Sequence, residues 1–251
     1  MKETNENKQP VLEIKSLFKS FGDNHVLNGF NLKLYKGENL VVMGKSGSGK
    51  SVMIKCLVGL MAADSGTIKI QDFDITSLGQ KELDVLRTEI GFLFQGSALY
   101  DSMTVRENLN FPLRRHKNKV DGNKNTEELV LEALDNVGLA SAIDLMPAEL
   151  SGGMKRRVAL ARALILKPKI ILYDEPTTGL DPITAKEIIQ LMRDVQKKYN
   201  TSSLIITHDV DCARVISNRM ILLVDGIDYA HGTFEELSKS EDPKIKAFFK
   251  N

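Results

Sequence analysis

The stretch "GKSGSGKS", residues 44–51, constrains this chain more than any other. It fits a phosphate-binding loop: a glycine, any four residues, then glycine, lysine, and serine or threonine. Backbone N–H groups must wrap phosphate oxygens, so side chains have to be absent where the wrap is tight. Such a loop needs a buried strand before it and a helix after it, with the helix N-terminus aimed at the anion. Both are written here as "NLVVMG" and "SVMIKCLVGLM". The predicted binding set runs through Gly44, Lys45, Ser46, Gly47, Ser48, Gly49, Lys50, Ser51 and Val52. Lys50 supplies a point charge to the β- and γ-phosphates of a nucleotide, and Ser51 a hydroxyl to Mg2+.

The surrounding texture predicts the architecture. "VLEIKSLFKSF" and "HVLNGFNLKLYKGE" alternate as strands of an antiparallel sheet, broken by Gly22, Asp23 and Asn24. "TIKIQDFDI" and "IGFLFQ" read as further strands, with "QKELDVLRTE" helical between them. Residues 97–166 hold no convincing strand; "VRENLNFPLRR", "TEELVLEALDNVG" and "MKRRVALARALIL" are helical, and "HKNKVDGNKN" is an exposed linker. "KIILYDEP", "SSLIITHD" and "RMILLVDG" are apolar enough to be buried on both faces, as central parallel strands are. Strand alternating with helix predicts an α/β core with a parallel sheet, into which the helical segment is inserted.

The carboxylates Asp174 and Glu175 end one of those buried strands, where α/β sheets bind ligands. Asp174 suits the Mg2+ shell, which leaves Glu175 to orient and deprotonate a water attacking phosphorus. His208 follows "LIIT" and emerges at the same sheet edge, placed to donate to a γ-phosphate. Gln95 ends "IGFLFQ" and can reach Mg2+ and the attacking water. At "LSGGMKRR", residues 150–157, Gly152 and Gly153 leave bare N–H groups at a helix mouth and Ser151 adds a hydroxyl, which makes a second anion site. One nucleotide needs only one cradle from one chain. The second is useful if two chains face each other and each completes the other's site.

Composition limits the classes left open. The chain's 251 residues carry 34 lysines and arginines against 33 aspartates and glutamates, so a broad basic face for nucleic acid is not expected. Cys56 and Cys212 lie apart within apolar helical patterns and read as core residues. The first ten residues are polar and read as a flexible start, without the apolar stretch of a signal peptide. No apolar run reaches the roughly 18 residues of a membrane span. Work at a membrane would need a partner that spans it.

The phosphate loop, Gln95, "LSGG", "IILYDEP", the "GLDP" of residues 179–182 and His208 stand in the order and spacing of ATP-binding-cassette ATPases, and the chain resembles that family from residue 11 onward. The resemblance implies a P-loop NTPase with a RecA-like parallel-sheet core, an N-terminal antiparallel β subdomain and an inserted α-helical subdomain, together one ATP-binding domain over 11–251. It implies that Phe21 stacks on adenine, that Lys50, Ser51 and Asp174 hold phosphates and Mg2+, and that Gln95 senses the γ-phosphate. Glu175 is then the catalytic base and His208 closes the shell. Ser151 and Gly153 reach across a head-to-tail homodimer to the partner's ATP, and Asp181 links the two sites.

"LSGGMKRR" with Met154, "FQGSALYDSMTVRENLNFPL", "DPITAKEI" and "DPKIKAFF" resemble the ATPases of MCE-linked lipid transporters. That similarity implies a permease, an MCE-domain lipid-binding protein and a peripheral position at the cytoplasmic face of the inner membrane. The permease is expected near 95–108, with Leu99, Tyr100, Met103 and Val105 as an apolar socket. Lys45 stands where proline is common and Val52 where threonine is usual, and the longer tail of some relatives is absent. Import of amino acids or other small solutes shares every catalytic motif, and action on DNA or ribosomes is the alternative of another class.

Overall fold

A computed structural model describes residues 9–119 and 125–249. The expected flexible start, apart from its last two residues, and residues 120–124 of the linker lie outside the described residues. The chain divides into two compact units, Met1–Asp84 with Ser202–Asn251, and Val85–Thr201.

In the first unit, β1 (Pro10–Phe21) pairs antiparallel with β2 (Asn24–Tyr35). Its other edge takes β4 (Ser65–Ile70), which turns back into the two-residue β5 (Phe73–Asp74). Leu12 faces Leu34, Ile14 faces Leu32 and Leu17 faces Phe30, all buried. Strict alternation would put Leu17 on the face opposite Ile14. A register shift between them, with Ser16 at φ 46°, returns it to the core.

All six residues of β3 (Asn39–Gly44) are buried, because the strand is flanked by β8 (Ser202–Thr207) and β9 (Arg219–Val224), parallel to it on either side. Sequence reading missed β10 (Ile227–Gly232), whose weak alternation conceals an antiparallel partner of β9. Met43 pairs with Thr207, so the phosphate loop and His208 leave neighbouring strand ends. The helix after the loop, α1 (Lys50–Leu57), is shorter than its apolar pattern suggests: Gly59 at φ 67° turns the chain two residues beyond it. The same unit holds α7 (Val210–Ile216), α8 (Phe234–Ser238) and α9 (Pro243–Phe249). Cys56 and Cys212 are buried, as expected.

After α2 (Gln80–Arg87) the second unit opens with β6 (Ile90–Leu93), parallel to β7 (Ile170–Asp174). Between them lie α3 (Val105–Arg115), α4 (Thr126–Asp135) and α5 (Gly152–Leu164), and no strand occurs among the described residues of 97–166. α6 (Pro182–Tyr199) follows. Val105, Leu109, Val130, Leu134 and Val158 are fully buried where α3, α4 and α5 meet. At about 1.5–3 kcal/mol for each large aliphatic side chain, this cluster gives the inserted helices a core of their own. Thr104 and Glu107 cap α3 reciprocally, each accepting from the other's backbone N–H.

Candidate nucleotide site

In the first unit the loop folds as its glycines require. Gly49 sits at φ 102°, and a side chain there would meet the Val26 carbonyl oxygen at 2.9 Å. Any other residue would break either the turn or the packing. Lys50 is 8% exposed, and its Nζ donates to the carbonyls of Gly44 at 2.6 Å and Lys45 at 3.0 Å. Those bonds hold the ammonium inside the loop that Lys45, Ser46, Gly47 and Ser48 trace. Ser48 Oγ is buried with no hydrogen-bond partner among the described residues, an acceptor and donor left for a ligand.

A cavity of about 420 Å³ opens beside Lys45–Ser48 and is walled by Val26, Leu223 and Phe248. Ser51 and His208 are exposed, and Val52 is half-buried. Phe21, at the end of β1, is 48% exposed with the Lys19 ammonium 5.5 Å from its ring centroid. That is an aromatic face available for stacking.

The second unit carries the other predicted residues. Asp174 ends β7, and Glu175 follows at φ 50° and 7% exposed, a backbone conformation that costs a non-glycine residue free energy. Thr178 turns back on it, donating its hydroxyl to Glu175 Oε2 at 3.2 Å. Gln95 is exposed in a turn closed by the Ser97 N–H on the Phe94 carbonyl at 3.0 Å. Both Ser97 and Ala98 lie at positive φ.

Ser151 caps α5, its Oγ accepting from the Met154 N–H at 3.2 Å. The two glycines after it differ. A Cβ on Gly153 would come within 2.6 Å of Thr184 Cγ2 on α6, whereas on Gly152 it would meet only Leu180 Cδ2 at an ordinary 3.7 Å. Packing inside the chain therefore accounts for Gly153, and nothing among the described residues accounts for Gly152. Asp181 is spent on its own helix: it caps α6 through the Ile183 and Thr184 N–H groups and accepts the Thr184 hydroxyl at 2.5 Å. The Thr184 bonds hold its carboxyl below the usual carboxylate range.

Sequence reading missed two arginines that turn inward from α5, Arg156 buried and Arg162 half-buried. Arg156, one of three in "KRR", is 4% exposed and donates to the carbonyls of Phe94 at 2.8 Å and Thr178 at 3.2 Å. Arg162 donates to the Ser97 carbonyl at 3.1 Å. Burial lowers the pKa of both guanidiniums from the ordinary value, and the Asp174 charge opposes this at Arg156. Nothing in a run of basic residues distinguishes the one that folds inward. Of the expected apolar socket, Val105 is fully buried and Leu99 packs on the helical core. Tyr100 instead lines a groove of about 600 Å³ with Phe92, Phe94, Ala98, Phe111 and Arg162.

Residues 27–178, more than half of the chain, match the family described as ABC transporter. The chain belongs to that family. The probable ribonucleotide transport ATP-binding protein mkl of Mycobacterium leprae is 40% identical over 238 residues, 95% of this chain and 68% of the relative. The intermembrane phospholipid transport system ATP-binding protein MlaF of Haemophilus influenzae is 37% identical over 242 residues, 96% and 91% of the two chains. The methionine import ATP-binding protein MetN of Clostridium tetani is 38% identical, covering 94% and 73%.

Among solved structures, the ATP-binding cassette MJ0796, dimeric in a post-hydrolysis state with ADP and Pi, superposes with a TM-score of 0.80 at 32% identity, over 89% of this chain and 98% of that one. CbiO1 from Clostridium perfringens, part of the cbiONQ complex, gives 0.82 at 28%, over 96% and 95%. The α/β P-loop fold and the family's ATPase activity follow. This ABC cassette is the ATP-hydrolysing subunit of a transporter, a class that works as dimers with membrane permeases. Among the described residues no helix is long and apolar enough to cross a membrane.

Proposed function

We propose that this cassette hydrolyses ATP between two copies of the chain to drive phospholipid movement through a separate permease at the cytoplasmic face of the inner membrane, with an MCE-domain protein as a further partner. The full-length likeness to MlaF carries the lipid reading, since it spans 91% of that protein and extends beyond the catalytic motifs.

The chemistry is divided among this chain's own residues. Gly44–Ser51 backbone N–H groups, Lys50 and the partnerless Ser48 hydroxyl cradle the phosphates, and Phe21 stacks on the base. Ser51, Gln95 and Asp174 would hold Mg2+, which would neutralise phosphate charge there. Glu175 takes a proton from the attacking water, its carboxylate held by Thr178. Gln95 and His208 orient the water and the γ-phosphate. Ser151, Gly152 and Gly153 present the mouth of α5 to the partner's ATP, which gives Gly152 the reason that packing does not. Asp181 stands at the junction of the two sites.

The groove lined by Tyr100, Phe111 and Phe94 suits an apolar permease segment. The rings of Tyr100 and Phe111 lie 5.0 Å apart in its lining.

Deleting the gene in its host separates cargo from catalysis. The lipid reading expects detergent sensitivity and altered surface phospholipid, with growth on single amino acids unchanged. Normal detergent resistance with loss of uptake of one small solute overturns the lipid reading and leaves the ATPase standing.

A further inference from the structure

The turn that presents Gln95 is bolted at both ends to a single helix. Phe94 opens the turn, and its carbonyl accepts from Arg156 Nη1 at 2.8 Å as well as from the Ser97 N–H. Ser97 closes the turn, and its carbonyl accepts from Arg162 Nη2 at 3.1 Å. Both arginines belong to α5, the helix whose first turn holds Gly152 and Gly153. Arg156 also donates from Nη2 to Thr178 in the turn that holds Glu175.

Arg162 has a second anchor. It reaches Asn108 Oδ1 at 3.4 Å, and the fully buried Asn108 side chain gathers the Tyr100, Met103 and Thr104 carbonyls at 3.0–3.1 Å. Arg162 and Tyr100 both line the groove assigned above to the permease.

A buried guanidinium is costly unless its donors are used. At Arg156 both Nη1 and Nη2 are used, on backbone carbonyls of two turns that themselves contain positive φ, at Ser97 and at Glu175, while Nε is buried with no hydrogen-bond partner among the described residues. Strained turns persist only where their surroundings over-determine them.

We propose that Arg156 is a positioning residue that ties the Gln95 turn and the Glu175 turn to the mouth of α5, with Arg162 extending the tie to the groove. A push at Tyr100 then moves Gln95 and the glycine mouth together, not separately. The planar fork matters, because it aims Nη1 at one loop and Nη2 at the other in a fixed geometry, whereas a lysine offers a single nitrogen on a flexible stem.

The inference rests on the roles given to Gln95 and Glu175, and one readout is independent of them. In the full-length cassette, Arg156→Met is expected to leave the Kd for MgATP within twofold, lower kcat at least tenfold, and speed amide exchange at Ser97 and Thr178, whose N–H groups close the two turns, at least tenfold. Arg156→Lys should restore thermal stability without restoring kcat or exchange protection. Ser97→Gly gives a variant that folds, since glycine tolerates φ 63°. It should speed exchange of the position-97 amide, which closes the turn on Phe94, and lower kcat with Kd unchanged.

Exchange unchanged in Arg156→Met and in Ser97→Gly overturns the brace. So does a Kd that weakens as much as kcat falls, which would mark a merely structural role. Faster exchange with normal kcat keeps the brace and removes its link to Gln95 and Glu175, which overturns the proposal as a statement about turnover.

Discussion

The two glycines at the mouth of α5 should respond oppositely to the same substitution. In Gly153→Ala the new methyl would lie 2.6 Å from Thr184 Cγ2, where carbon atoms prefer about 3.5–4.0 Å. Thr184 cannot simply rotate away, because its hydroxyl is held by Asp181 at 2.5 Å and its N–H by the same carboxylate at 3.0 Å. The helices must part by about 1 Å, at an overpacking cost of about 1–3 kcal/mol. Alanine returns at most about 1 kcal/mol of helix propensity, so the net loss is roughly 0–2 kcal/mol, a fall of up to about 8 °C in Tm for a chain of this size.

Gly152→Ala meets only Leu180 Cδ2 at 3.7 Å and should be neutral or stabilising by up to about 1 kcal/mol. Adding Thr184→Ser to Gly153→Ala removes the obstructing methyl and keeps the Asp181 bond. The double variant should recover the lost stability. Urea melts of the four proteins test this. Gly153→Ala as stable as Gly152→Ala, or a Thr184→Ser background that restores nothing, would refute the packing account. The stable Gly152→Ala protein should still lose turnover by about 10²-fold, because the space it fills is left for a partner's nucleotide.

Lys50→Ala should weaken MgATP binding, since Lys50 is poised in the loop before any ligand arrives, whereas Glu175→Gln should bind normally and lose about 10²- to 10⁴-fold in turnover; nucleotide titration with phosphate release measures both, and near-normal turnover in Glu175→Gln would remove it as the base. Tyr100→Asp with Phe111→Asp, both side chains being partly exposed in the groove, should spare the isolated ATPase and abolish co-purification with the permease; co-purification at the original level would place the permease elsewhere.

The strand and helix boundaries that periodicity predicted were legible because both cues were local. Buried parallel strands such as "NLVVMG" are continuous apolar runs, and α3 announces itself through Thr104 and Glu107. β10 was not legible: its residues are mostly half-buried and alternate poorly, and only pairing with β9 makes them a strand. Val105 failed as part of a socket for a related reason. An apolar residue looks the same in sequence whether it meets a partner or its own core; α3 to α5 needed Val105 inside, and Leu99 is partly buried against the same core.

For the site, residue types that chemistry demands were visible one by one, while the side chains that hold them in place were not. A phosphate loop must contain glycine and lysine whatever the rest of the fold does, so "GKSGSGKS" can be read without a structure. The brace at Arg156 obeys no such demand, because another scaffold could hold Phe94 and Thr178 by other means. Its inward course depends on three segments far apart in the chain, at 94, 156 and 178, meeting within hydrogen-bond reach. The pair Gly152–Gly153 combines the two cases. Read as sequence, both glycines serve an anion. In the folded chain Thr184 claims one, and the anion reading falls on Gly152 together with the Ser151 hydroxyl, which accepts from Met154 and still has its proton to donate.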